Sequence, residues 1–135
     1  LVEFALILPI LLVVVIGTFD LALAVWQTNT LANAVREATR YAIVHGDGSA
    51  APVGPGSGSY TAPDQDTTLT GIVRDRAVGM AGVSVSSTWP DGTNARGKRV
   101  SVVATVPYAP VLSQAFLSGA LRVTLRGASE LVIHR

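Results

Sequence analysis

Two carboxylates, Glu3 and Asp20, stand in an otherwise uncharged run of 26 residues, LVEFALILPILLVVVIGTFDLALAVW. Holding an ionised carboxylate inside an apolar span costs about 2.5–3.5 kcal/mol at a bilayer centre, and less near its edges. Residues of this kind are kept where a partner meets them. For Glu3 the available partner is the α-amine of Leu1. Within one helix, residues two apart do not face each other, so the pair is expected between chains, one subunit's Glu3 meeting the next subunit's amine. Such a contact would fix the axial register of neighbouring helices. The alternative is a Glu3 solvated at the membrane edge. About 25 Å of helix separates Glu3 from Asp20, which places the two carboxylates near the two edges of the run. Asp20 has Leu23 and Ala24 at its i+3 and i+4 positions and no cation there. Water or another subunit is therefore expected to satisfy it.

The element that carries these groups must be a helix, because only helices and closed barrels satisfy every backbone group in lipid. The run exceeds the roughly 20 residues that a spanning helix needs. Pro9 lies inside it, removes one N–H and frees the Ala5 carbonyl. A kink or an adaptable segment is expected there, with Gly17 as a second weak point. The run has no basic residue ahead of it and no small-residue cleavage site behind it, unlike a secretory signal peptide. The expectation is that a basic leader is removed ahead of Leu1 and the apolar helix is kept.

Beyond Trp26 the helical spacing persists. Leu31, Val35, Ala38 and Ala42 share one face, while Asn29, Asn33, Arg36 and Arg40 lie on others. One helix is predicted over 2–45, about 65 Å long and stopped by Gly46. Residues 46–63 are rich in Gly, Ser, Ala and Pro and read as a solvated connector whose hydroxyls could carry glycans. Asp66, Thr67 or Thr68 would cap a short helix with Leu69, Ile72, Val73, Ala77 and Met80 on its apolar face, ended by Gly82.

The period then changes to two. Val83, Val85 and Trp89 form one strand, Pro90-Asp91-Gly92 opens a turn, and Val100, Val102, Ala104, Val106 and Tyr108 form the next. Pro107 and Pro110 end it. Leu121, Val123 and Leu125 start a third, with a bulge expected at Gly127 before an edge running from Glu130 to Arg135. The fold class is α+β: a long N-terminal helix packed on a small head with a short helix and an antiparallel sheet of three or four strands. Residues 1–26 form the hydrophobic segment. Residues 27–135 form the head, which includes the amphipathic half of the helix (27–45).

Composition narrows the chemistry. The chain has no Cys, which removes disulfides, thiol nucleophiles and thiolate metal sites. A net charge of +1 gives no electrostatic footprint for nucleic acid. All ten basic residues lie at Arg36 or beyond. His45 and His134 read as surface residues. Asp64 and Asp66 are too few for a calcium loop and read as helix-start residues. Arg96, Lys98 and Arg99 read as a solvated hairpin tip. No HExxH, GxSxG or phosphate-loop pattern occurs. No enzymatic activity, cofactor or metal is expected.

VEFALILP, the apolar run after it, and GTFDLALAVWQTNTLANAVREATRYAIVHG resemble the TadE-like family of the tight-adherence (Tad) branch of type IV pilins. The specific pieces are Glu3-Phe4-Ala5, Leu8-Pro9, Asp20 and the stretch from Ala34 to Ala42. Two features depart from the wider pattern. The glutamate of type IV pilins usually stands fifth from the processed end, and here it stands third. Relatives often carry a basic residue shortly after the Asp20 position, where this chain has Leu23.

The resemblance implies a subunit cleaved by a prepilin peptidase and held by its helix as a single-pass protein of the inner membrane. Assembly machinery would then move it into an extracellular filament, a helical polymer of copies of itself. Leu1, Glu3, Phe4, Pro9 and Asp20 are the expected assembly residues. The alternative is a minor pilin, pseudopilin or membrane-anchored assembly factor.

Overall fold

The computed structural model describes residues 2–55, 67–116 and 119–134. Leu1, the second half of the Gly/Ser/Pro connector with Asp64 and Asp66, and Arg135 lie outside the described residues.

One helix, α1 (Val2–Val44), runs unbroken through Pro9 and Gly17. Its threonines explain how a polar hydroxyl is tolerated on an apolar rod. Thr18, Thr28, Thr30 and Thr39 each donate to the carbonyl one turn back, at 2.8–2.9 Å. The helix ends one residue earlier than expected, and Gly46 does not end it with a left-handed turn. Instead the His45 ring stacks on Tyr41, and its Nδ1 donates to the Tyr41 carbonyl at 2.9 Å. The His45 carbonyl then accepts from the Val53 N–H at 2.7 Å. His45 is half-buried, and His134 is exposed.

The connector is only partly solvated. Val53 is buried. Asn94 holds it by donating from Nδ2 to the Val53 carbonyl at 3.0 Å. Gly54, at φ +106°, lies against the indole of Trp89, where a Cβ would overlap the ring. The connector thus leaves α1 by crossing a buried tryptophan, a contact that a low-hydrophobicity segment does not advertise.

Helix α2 (Thr67–Arg76) lays Leu69 and Val73 against α1. It stops well before Gly82, and Ala77 caps the turn with its N–H on the Val73 carbonyl at 2.9 Å. The left-handed turn that redirects the chain falls on Gly79. Met80 therefore sits beyond the helix.

Three strands follow, β1 (Ser84–Thr88), β2 (Arg99–Tyr108) and β3 (Val123–Val132), in the antiparallel order β1-β2-β3. Strand β2 is central and alternates cleanly. Val100, Val102, Ala104 and Val106 are buried against Leu31, Ala34, Val35, Ala38 and Ala42 of α1. Removing each such side chain from water contributes about 1.5–3 kcal/mol for valine- or leucine-sized groups. Trp89 is buried just past the end of β1. Pro107 lies inside β2, beyond the last β1 pair of Ser84 with Thr105, so its missing N–H falls where β1 has ended.

No bulge occurs at Gly127. The β2–β3 register is continuous from Arg99–Val132 to Tyr108–Val123. Glycine is needed there for another reason. A Cβ at 127 would stand 3.1 Å from the Leu31 backbone, so the residue lets β3 press directly on α1. The strand ends at Val132, and Ile133 and His134 close onto Lys98 and Ile43 by backbone bonds of 2.8 and 2.9 Å.

A third helix, α3 (Val111–Phe116), fills part of the β2–β3 connection, which the hydrophobic period left unassigned.

Candidate functional site

Along its first turns α1 touches no other element among the described residues. Phe4 is 68% exposed, and Leu6, Ile7, Ile10, Leu11, Leu12 and Val14 are open in the same way. A contiguous apolar surface of this size does not persist in water and marks an interaction surface. By length and composition α1 is able to cross a membrane. Glu3 is exposed at its start and makes no ion pair among the described residues. Pro9 is exposed on a continuous helix. The structure therefore brings Glu3, Phe4 and Pro9 together on one uncovered rod.

Asp20 is placed differently. It is 7% exposed, at the level where the head begins. Its Oδ1 accepts from the Val111 N–H at 3.0 Å and its Oδ2 from the Leu112 N–H at 2.9 Å. The Tyr108 hydroxyl donates to the Asp20 carbonyl at 2.8 Å and lies 3.4 Å from Oδ1. The expectation that water or a second subunit must satisfy this carboxylate is overturned, because its own head does so. Asp20 caps α3 from across the fold, supplying the acceptor that a local Ser, Thr or Asp usually provides to the first N–H groups of a helix.

The clasp is built from three local causes. Pro110 ends β2 and presets the first turn of α3. Tyr108, the last inward residue of β2, points at α1. Burial raises the Tyr108 pKa above its ordinary value, and the neighbouring Asp20 charge and hydrogen bond add to the rise. The phenol thus stays protonated and remains a donor. Only Asp20 of this set was legible as functional. Its partners lie about ninety residues away, and the single local signal was a proline followed by an apolar helix-length segment.

Next to the clasp, Gly17, Leu21 and Ala24 of α1 face Leu112, Leu121, Val123 and Leu125 across an apolar groove of about 380 Å³. Farther along α1, Arg36, Glu37 and Arg40 line a polar groove with Arg76, whose guanidinium lies 3.8 Å from Glu37. At the hairpin tip Arg99 binds Asp91 at 2.9 Å and reaches Glu130 at 3.5 Å. The Arg99 hydrogen bonds pull the Asp91 pKa down to about 2. Arg96 and Lys98 beside it are exposed. No group of three His, Cys, Asp or Glu side chains converges among the described residues.

Residues 1–40 match the TadE-like protein family model. The TadE-like segment contains Glu3, Phe4, Pro9 and Asp20 and stops within the packed half of α1. The likeness covers those 40 residues and suggests a Tad pilus-associated protein. No curated protein and no solved structure matches the chain.

Proposed function

We propose that this chain is a structural pilin subunit that polymerises through α1 into a Tad-type filament on the cell surface. Before assembly α1 is a single-pass anchor in the inner membrane, and a prepilin peptidase processes the subunit. Pilus assembly machinery then transfers the subunit from lipid to filament. The observation that carries this reading is the uncovered rod. The head is clasped to α1 at Asp20 and leaves the preceding apolar turns bare, so lipid or other copies must cover them. Repeated head-to-tail burial of the same helix yields an open filament.

In that polymer Glu3 pairs with the processed N-terminal amine of a neighbour, Phe4 packs between helices, and Pro9 lets the helix adapt. The clasp keeps Asp20 inside its own subunit, so its contribution to assembly is to fix the angle of the head on the rod.

Electron microscopy of the sheared surface fraction, with mass spectrometry of the same sample, tests the reading. Thin filaments made mostly of this chain are expected. Glu3→Ala should abolish them while leaving the head's melting transition in place. Retention of the chain in membranes, with filaments lacking it, would instead assign a minor pilin or assembly factor.

A further inference from the structure

We infer that the underside of the head is a second membrane contact, a surface that docks on an anionic bilayer while the subunit is still anchored. This rests on the reading of α1 as a membrane span. If Glu3 lies at one edge of a hydrocarbon layer about 30 Å thick, about 20 residues of helix cross it and the opposite edge falls near Leu21 to Leu23. That level is where the head begins. The groove between α1 and the head opens there, with Gly17, Leu21, Leu112, Leu121, Val123 and Leu125 on its walls. Leu121 and Val123 are about half exposed, as is Val111 on the first turn of α3. Among the described residues nothing covers these side chains, and they adjoin the apolar surface of the span. Asp20 is the single charge in the groove, and it is turned into the α3 amides. The groove therefore presents hydrocarbon to hydrocarbon.

Charge selects the kind of lipid. Strand β3 climbs alongside α1, since Gly127 presses on Leu31 and the His134 N–H bonds the Ile43 carbonyl. Its start at Val123 is thus its membrane-proximal end. Arg122 stands just before it, is exposed, and makes no ion pair among the described residues. Arg126 is in the same condition about 13 Å farther up the strand, beyond the Debye length of about 8 Å at physiological salt, so Arg122 carries most of the attraction. The acidic residues described in the head (Glu37, Asp47, Asp75, Asp91 and Glu130) include none at this end of β3. Leu121 and Val123 flanking the unpaired Arg122 fit the boundary of a leaflet of anionic phospholipid, where each arginine near the surface gains on the order of 1 kcal/mol. Trp26, half exposed on α1 a turn above the same level, suits the headgroup layer.

The absence of cysteine permits a direct test on the full chain. Single variants Leu121→Cys, Arg96→Cys and Leu11→Cys would carry an environment-sensitive fluorophore. Each is reconstituted in phosphatidylcholine vesicles with or without phosphatidylglycerol, containing lipids brominated in the upper acyl chain. Quenching at 121 is expected, but none at 96 on the distal tip. Phosphatidylglycerol should raise the docked-to-undocked ratio at 121 by roughly five-fold per engaged arginine. Arg122→Glu should remove that dependence and Arg122→Lys should keep it. Quenching at 11 with none at 121 would overturn docking and leave the anchor standing. No quenching at 11 would sink both. Equal quenching at 121 with and without phosphatidylglycerol would refute the anionic preference. Quenching at 121 that vanishes at high protein-to-lipid ratio in neutral vesicles, with cross-links between copies, would make the groove a seat for a neighbour's α1 and overturn the lipid assignment.

Discussion

Two halves of one helix meet opposite fates. From Phe4 to Val15, α1 is apolar on every side and exposed, with no other described residue covering it. From Leu31 to Ala42 it is apolar on one side, and that stripe is the spine of the core. Both halves are helical for the same backbone reasons, yet only the second carries the one-sided pattern that a small head can bury. A rod that is hydrophobic all round needs cover all round, which one head on one side does not provide. The junction is Asp20, where a charge that would be costly in either half is consumed by the head's own amides. The contrast assigns the head's stability to the second half and leaves the first as a surface to be covered.

The largest expected effect breaks that contrast if it is wrong. Leu31→Ala empties a fully buried site and should destabilise the head by about 2–5 kcal/mol, whereas Leu12→Ala, on the bare half, should leave head unfolding unchanged. Denaturant unfolding of the full chain in detergent measures both. Equal losses would show that the first half also supports the fold. Next comes Gly127→Ala. The added Cβ meets the Leu31 backbone at 3.1 Å, and main chain gives way less readily than a side-chain tip, so a loss of about 1–3 kcal/mol is expected. A neutral result would mean that β3 and α1 separate easily, and the packed half would then be less fixed than its burial indicates.

The same contrast explains what could be read in advance. The apolar run, the stripe from Leu31 to Ala42 and the alternation of β2 are periodic, and period is a local property that survives folding. Glu3 stood out because a charge among leucines is costly wherever the chain goes. The clasp did not stand out, because nothing near Asp20 in sequence shows that Val111 and Leu112 will present free amides to it. Gly127 was assigned to the wrong cause. A glycine in a strand signals either a bulge or a close approach, and only the position of α1 decides between them. Helix α3 is too short to show a period, and the grip of Gly54 and Asn94 on the connector depends on a tryptophan far along the chain.

Asp20→Ala sharpens the comparison at the junction. Removing the carboxylate leaves the first amides of α3 without their acceptor, so hydrogen exchange at Val111 and Leu112 should speed up by roughly ten-fold while amides of the packed half of α1 keep their protection. Asp20→Asn should recover part of the protection, since an amide oxygen still accepts. If exchange in both halves of α1 rose together, the clasp would be holding the whole rod rather than the angle of the head.

The smallest effect is the pH dependence of the head, and it comes from two groups outside the bare rod. Asp91 has its folded pKa lowered to about 2 by Arg99. Its contribution is fully present above the unfolded value near 3.8 and is lost as pH falls toward 2. The pair is solvent-exposed, so the loss should be slight and should shrink in high salt. Tyr108 has its pKa raised by burial and by Asp20. Its contribution is complete below the ordinary tyrosine value near 10 and is lost as pH rises through the folded value. Thermal unfolding against pH should therefore show a shallow acid limb that Asp91→Asn flattens and an alkaline limb that Tyr108→Phe flattens. Because Tyr108 touches Asp20, the alkaline limb reads the junction, and the part of the acid limb that Asp91→Asn removes reads the distal tip. An alkaline limb that survived Tyr108→Phe would mean that another group titrates there and that the phenol is not what binds the head to the rod.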